Sequence, residues 1–150
     1  MFSELSHSLI IRPGSSSSGV TTTARLSADF LIDGESLLRI LLREDGGYGD
    51  FMGVLVRGYP EQNADVANQL VGLTDPSSDT GRVLLYVCPE CGDIGCGAYS
   101  AIVSVASGEA SWSDFAYENG YEDARPLENI GPFVFDTGRY KAAIASASAL

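Results

Sequence analysis

Three cysteines stand within nine positions, at Cys88, Cys91 and Cys96, in the run CPECGDIGCG. The chain has no others, and no other stretch gathers as many reactive side chains. A C-x-x-C-x4-C spacing can place three thiolates around a tetrahedral zinc, with Pro89 and the glycines shaping the knuckle. A structural zinc site needs a fourth ligand, and the sequence offers His7, Glu90, Asp93 or water. Alternatively, Cys88 and Cys91 can cycle between dithiol and disulfide, with Cys96 as a resolving thiol. Catalytic pairs of that kind use a helix N-terminus to lower a thiol pKa. Here Gly92, Gly95 and Gly97 oppose a helix, and the surrounding acids push a thiol pKa up. The favoured reading is structural. The glycines supply positive φ in a compact turn, and the cysteines are small, semi-apolar fillers beneath it, reduced in the cytosol. No cofactor is expected on that reading; the zinc alternative rests on Cys88, Cys91 and Cys96.

Other chemistries have less to build on. There is no phosphate-loop motif G-x-x-x-x-G-K-[ST] and no G-x-G-x-x-G after a strand. No histidine lies near the cysteines to activate a thiol, and His7 is the only histidine of the chain. A single lysine, Lys141, leaves little for Schiff-base or phosphate chemistry. Adjacent carboxylates such as Glu122-Asp123 lie in a turn-rich stretch and read as a solvated surface.

Charge narrows the partners. Nine bases against twenty acids leave a net −11. Between Tyr86 and Asp136 stand Glu90, Asp93, Glu109, Asp114, Glu118, Glu122, Asp123, Glu128 and Asp136, opposed by Arg125 alone. Such a surface repels phosphate backbones and disfavours direct nucleic-acid binding, so no nucleic-acid partner is expected. It suits a basic partner protein, or simply solubility. No apolar run approaches the roughly 20 residues of a membrane span, and the N-terminus lacks the apolar length of a signal peptide. A cytoplasmic protein without membrane association is expected.

The elements that must position the cysteines follow from periodicity. Val83–Val87 reads as a strand covered on both faces. Ala98–Val105 places Ala101, Val103 and Val105 on one side, with Ile102 and Ser104 on the other. Ser111–Phe115 carries the only tryptophan, Trp112. These are expected to be three consecutive antiparallel strands with the cysteines at the first bend. Trp112 reads as a core anchor, and Asp114 as a partner for nearby backbone.

Elsewhere, residues 1–20 read as a partly flexible segment holding a short edge strand and a serine run that neither packs nor pairs. Thr21–Asp33 alternates with period two, one face on a core and the other mostly in water. Asp33 is the expected N-cap of a helix over Ser36–Arg43, with Glu35 in its first turn. Residues 48–57 are ambiguous and lean to a strand with a glycine bulge. Pro60 opens a helix with a Val66, Ala67, Leu70, Val71 stripe, stopped by Gly72 with Leu73 packed beyond. Residues 74–82 read as an exposed loop. Residues 116–135 read as a surface connection anchored by Tyr117, Tyr121 and Phe133. Asp136 or Thr137 caps a last helix that buries Tyr140, Ala143, Ile144 and Ala147.

The cysteine run, followed about fifteen residues later by Trp-Ser-Asp-Phe, resembles an uncharacterised family of bacterial, largely actinobacterial, proteins. That family pairs a Cys-Gly-x-x-Gly-Cys turn with a strand ending in Trp-x-x-Phe. The matching positions are Cys91, Gly92, Gly95, Cys96, Trp112 and Phe115. Many relatives place the first cysteine at C-x-C spacing, whereas this chain has C-x-x-C between Cys88 and Cys91. The likeness extends more faintly from the strand near Ala24 to the C-terminal helix, and it carries no activity with it.

Together these readings predict one α+β domain over residues 1–150, with a mostly antiparallel sheet of four to six strands packed by about three helices. Function is expected to be that of an acidic protein-binding domain, of inhibitor or immunity type. The alternative is a zinc-binding or thiol-redox protein working through the cysteine turn.

Overall fold

The structure, a computed structural model, describes residues 2–12, 15–17, 20–22, 25–46, 51–88 and 97–150. Among these the fold is α+β, with three helices and antiparallel pairing between all named strands. The larger sheet contains β6 (Met52–Gly53), β7 (Val83–Val87), β8 (Ala98–Val105), β9 (Glu109–Glu118) and β10 (Arg125–Pro126), in the order β10-β9-β8-β7-β6. A further strand, β11 (Phe133–Asp136), pairs with the other end of β9. The smaller sheet has the order β1-β4-β5, from β1 (Leu5–Arg12), β4 (Arg25–Ile32) and β5 (Glu35–Ser36). A separate ribbon pairs β2 (Ser15–Ser17) with β3 (Val20–Thr22). No helix among the described residues is long and apolar enough to cross a membrane.

The β7-β8-β9 unit is the consecutive antiparallel meander expected from the alternation of its residues. β9 runs three residues past Phe115, because its register slips between Ser100 and Ile102 of β8 and absorbs an extra residue. Asp114 sits in that bulge with φ +48, a conformation Asp adopts more readily than most residues. The supposed surface connection 116–135 is therefore shorter than expected. Residues 116–118 belong to β9, and Phe133 opens β11. Tyr121 is 84% exposed and anchors nothing; Leu127 and Ile130 are the buried residues of the connection.

The N-terminal half departs further from expectation. Leu5–Arg12 forms a full eight-residue strand paired with β4 along its length, and Ser15–Ser17 pairs with Val20–Thr22. The β4 face expected to meet water is also covered, since Ser27 and Asp29 are buried with Ala28, Phe30 and Ile32. Asp33 does not cap a helix. With φ +52 beside Gly34 at φ +84, it makes the two-residue turn that joins Ile32 to Glu35, the conformation that Asp-Gly favours in hairpins. Its carboxylate accepts the Glu4 N–H at 2.8 Å. Ser36 caps α1 (Leu37–Glu44), its Oγ accepting the Arg39 N–H at 3.2 Å. Leu37 and Leu41 are the buried residues of that helix.

The two sheets meet at residues 52–57. Met52 and Gly53 pair with β7, and the Val54 N–H donates to the Leu85 carbonyl. One residue on, the Ala28 N–H donates to the Leu55 carbonyl, and two further on the Arg57 N–H donates to the Leu26 carbonyl. The segment thus changes ladder partner within four residues. No bulge explains Gly53. A Cβ there would stand 1.9 Å from the Ala28 carbonyl oxygen, so only glycine lets the backbones pass. Asn63 of α2 (Pro60–Leu70) secures the crossing, accepting the Val56 N–H at 2.9 Å and donating to its carbonyl at 2.8 Å.

Gly72 stops α2 with φ +81. Its N–H donates to the Gln69 carbonyl, and the Leu73 N–H reaches back to the Asn68 carbonyl. Leu73 itself is 75% exposed, so the expected apolar clasp beyond the glycine is missing. Asp136 caps α3 (Thr137–Ser148) by accepting the Arg139 N–H, and Tyr140, Ile144 and Ala147 face the core as expected. Trp112 lies fully buried between Phe30, Phe135 and Tyr140, with all three rings edge-on to the indole. Its indole N–H donates to the Tyr140 hydroxyl at 2.9 Å, which in turn donates to the Leu70 carbonyl, tying β9 to both later helices.

Because the crossing tolerates no side chain, Gly53→Ala is expected to destabilise the protein by at least about 2 kcal/mol. Urea denaturation reads this directly. An unchanged midpoint would show that the two backbones do not approach as described.

Candidate functional site

The cysteine run lies in the chain between β7 and β8. Val87 pairs with Ala98, and the Cys88 N–H donates to the Gly97 carbonyl at 3.2 Å, so the two ends of the connection stand side by side. Cys88 is half-buried with a free thiol. Cys91, Cys96, Gly92 and Gly95, together with Pro89, Glu90 and Asp93, lie outside the described residues. Among the described residues no group of three His, Cys, Asp or Glu side chains is arranged to hold a metal ion. His7, the distant candidate for a fourth ligand, lies on β1 opposite Phe30, in the smaller sheet.

The other residues singled out with the cysteines go elsewhere. Trp112 is a core anchor, not a platform for a ligand. Phe115 is buried against Phe133 with ring centroids 5.8 Å apart. Asp114 is exposed beside it, and its carbonyl oxygen accepts from Arg82 Nε at 2.9 Å.

Two polar constellations flank the turn, and neither was apparent from the sequence. The first starts at Gly97, whose φ of +106 and lack of a Cβ make room for the Tyr117 hydroxyl. Tyr117 pairs with Tyr99 across the sheet and with Arg125 on its other side. The Arg125 guanidinium lies 4.9 Å from the Tyr117 ring centroid and forms an ion pair with Asp45, the residue that closes α1. Tyr99 donates to the other Asp45 oxygen at 2.8 Å. Burial pulls the Asp45 pKa upward, but the Arg125 and Tyr99 hydrogen bonds outweigh it and hold the carboxyl below its ordinary value. Tyr99 is correspondingly driven up, first by burial and then by Asp45.

The second constellation surrounds Glu118, one residue further along β9. Glu118 is 3% exposed, and its carboxylate accepts from Ser78 at 3.0 Å, Thr80 at 2.8 Å, and Ser100. Glu118 is therefore no part of the acidic surface to which its residue type assigned it. The loop 74–82, read as merely exposed, folds two hydroxyls onto it. These partners lie 38–40 residues away in the chain, so no local pattern announces them. A strand carried past Phe115 by its bulge would have been the one available signal.

Comparison of the chain with protein-family models, with curated proteins and with solved structures finds no match in any of the three.

Two measurements follow from this geometry. Asp45 has a depressed folded pKa, so its ion pair contributes stability in full above the unfolded carboxyl pKa of about 4 and loses it as pH falls through the lower folded value. Asp45→Asn should therefore lower stability by about 1 kcal/mol at neutral pH, and the difference from the native chain should vanish in strong acid. Chemical denaturation at two pH values tests this; a constant difference would contradict it. Separately, Cys88→Ser is expected to cost no more than about 1 kcal/mol, and a chelator should leave the melting temperature unchanged. Metal-coupled folding would instead contribute about 10 kcal/mol, and chelation would then lower the melting temperature sharply.

Proposed function

We propose that this chain is a cytosolic, acidic protein-binding domain of inhibitor or immunity type, whose target is a basic protein. One observation supports this reading above others. Along residues 109–128, Glu109, Asp114, Glu122, Asp123 and Glu128 are exposed, while the one base of the span, Arg125, is ion-paired to Asp45. That pairing commits the stretch's only positive charge to Asp45, and none of these five exposed carboxylates forms an ion pair among the described residues. A surface of this kind steers basic partners and repels nucleic acid. Binding groups on the surface also fit an interior whose polar atoms are already occupied. No described buried side-chain nitrogen or oxygen lacks a hydrogen-bond partner.

The test uses the immobilised native protein and a panel of basic proteins. Retention is expected to weaken about tenfold or more when ionic strength rises from about 0.1 M to about 1 M, as the screening length shrinks from about 10 Å to about 3 Å. Glu122→Gln with Asp123→Asn should weaken it at low salt. Retention that ignores both salt and these substitutions would refute an acidic binding surface.

A further inference from the structure

Beside the β9 bulge lies a groove of about 380 Å³, within the size range of pockets that take a small ligand or a side chain. Buried Phe115, Leu127 and Ile130 contribute its apolar lining, and the Leu127 N–H donates to the Phe115 carbonyl at 2.8 Å, fixing one wall to the other. Exposed Asp114 and Glu128 also line it, and among the described residues neither carboxylate makes a hydrogen bond or an ion pair. Arg82 lines the groove as well, with its Nε committed to the Asp114 carbonyl, so the groove's titratable lining is two carboxylates against one base.

We infer that this groove receives one basic side chain of the partner protein, an arginine in preference to a lysine. The inference rests on the acidic binding function proposed above and names its anchoring subsite. A guanidinium is planar and carries five donors, so it can face two carboxylates at once, which a compact ammonium does less well. Its methylene stem needs an apolar surface, and the exposed Pro126 and Pro132 of the lining supply one over the buried Phe115, Leu127 and Ile130. Charge and shape together select this occupant. A neutral apolar side chain would leave two carboxylates beside it without partners, and an acidic one would be repelled.

Amide-resolved NMR titration tests this with N-acetyl-arginine methylamide as the probe and the neutral citrulline analogue as its control. Saturable shifts are expected at Asp114, Phe115 and residues 127–130. Affinity should fall at least about fivefold in the Asp114→Asn, Glu128→Gln variant, and the citrulline analogue should produce no such shifts. Asparagine tolerates the left-handed conformation of position 114 as well as aspartate does, so the variant is expected to keep the native melting temperature. Equal shifts with citrulline, or shifts spread over Glu109, Glu122 and Asp123 without saturation in the groove, would overturn the inference. Basic-protein retention distinguishes the two levels. If it stays salt-dependent but is unaffected by the groove variant, the subsite fails and the acidic surface stands. If the native chain shows no salt-dependent retention, the acidic surface itself fails.

Discussion

Two backbones pass each other at Gly53 and Ala28 closer than any side chain would permit, and both sheets depend on that approach. Hydrogen bonds on either side of the crossing belong to different ladders, one with β7 and one with β4. Tyr86 locks the same junction from within. Its hydroxyl donates to Asp29 at 2.7 Å and accepts the Phe30 N–H at 3.0 Å, carrying β7 onto β4. Burial, and then the Asp29 charge, drive the Tyr86 pKa far up, so the phenol stays a donor at any ordinary pH. Asp29 also accepts from Ser36 at 2.7 Å, and Ser36 is the cap of α1. A single buried carboxylate therefore aligns one sheet, the other sheet and the first helix. In a dry junction such a group is worth much more when fully bonded than when one partner is removed.

This economy explains where the molecule keeps its polar groups. Asp29, Asn63 and Glu118 are buried and held by partners distant in sequence or by backbone at the crossing, while buried Gln69 is held nearer by, through Asp65 and the Ser77 N–H. Glu118 and Asp45 bracket the end of the sheet from which the cysteine turn departs, one through three hydroxyls and the other through Tyr99 and Arg125. The two flanks of that turn are thus braced by independent networks on neighbouring residues of β9. Cys88 and Gly97, joined by one backbone hydrogen bond, stand between those two networks.

What could be read from residue order follows the same physics. The meander of β7, β8 and β9 was legible because its strands alternate and pair with their chain neighbours. α3 was legible because an Asp cap precedes a regular apolar stripe. The crossing at 52–57 was not, since a strand that changes partner midway presents no constant face. Asp33 was misjudged for a related reason. Asp-Gly serves a hairpin turn as well as an N-cap, and only the position of Ser36 decides between them. The serine run near residue 16 was read as unpaired on composition alone, whereas its pairing with β3 is backbone chemistry that composition underweights. The buried role of Glu118 lay beyond reach, its partners being set by tertiary folding of a distant loop.

The position of Asp114 joins the candidate site to the fold. An unbroken β9 would keep the period of two, and the residue after Ser113 would share a face with Trp112 and point toward the core. The bulge inserts one residue, brings Phe115 inward in its place and leaves Asp114 exposed. The tryptophan and phenylalanine of the Trp-x-x-Phe segment are therefore both buried at a spacing that regular pleating would forbid. The bulge here takes its extra residue in positive φ, a conformation aspartate reaches more readily than most residues while carrying a charge. A glycine would meet the backbone requirement better and present nothing to a partner. Aspartate thus serves the bend and, being exposed, places its charge at the groove beside β9 and not in the core beneath it.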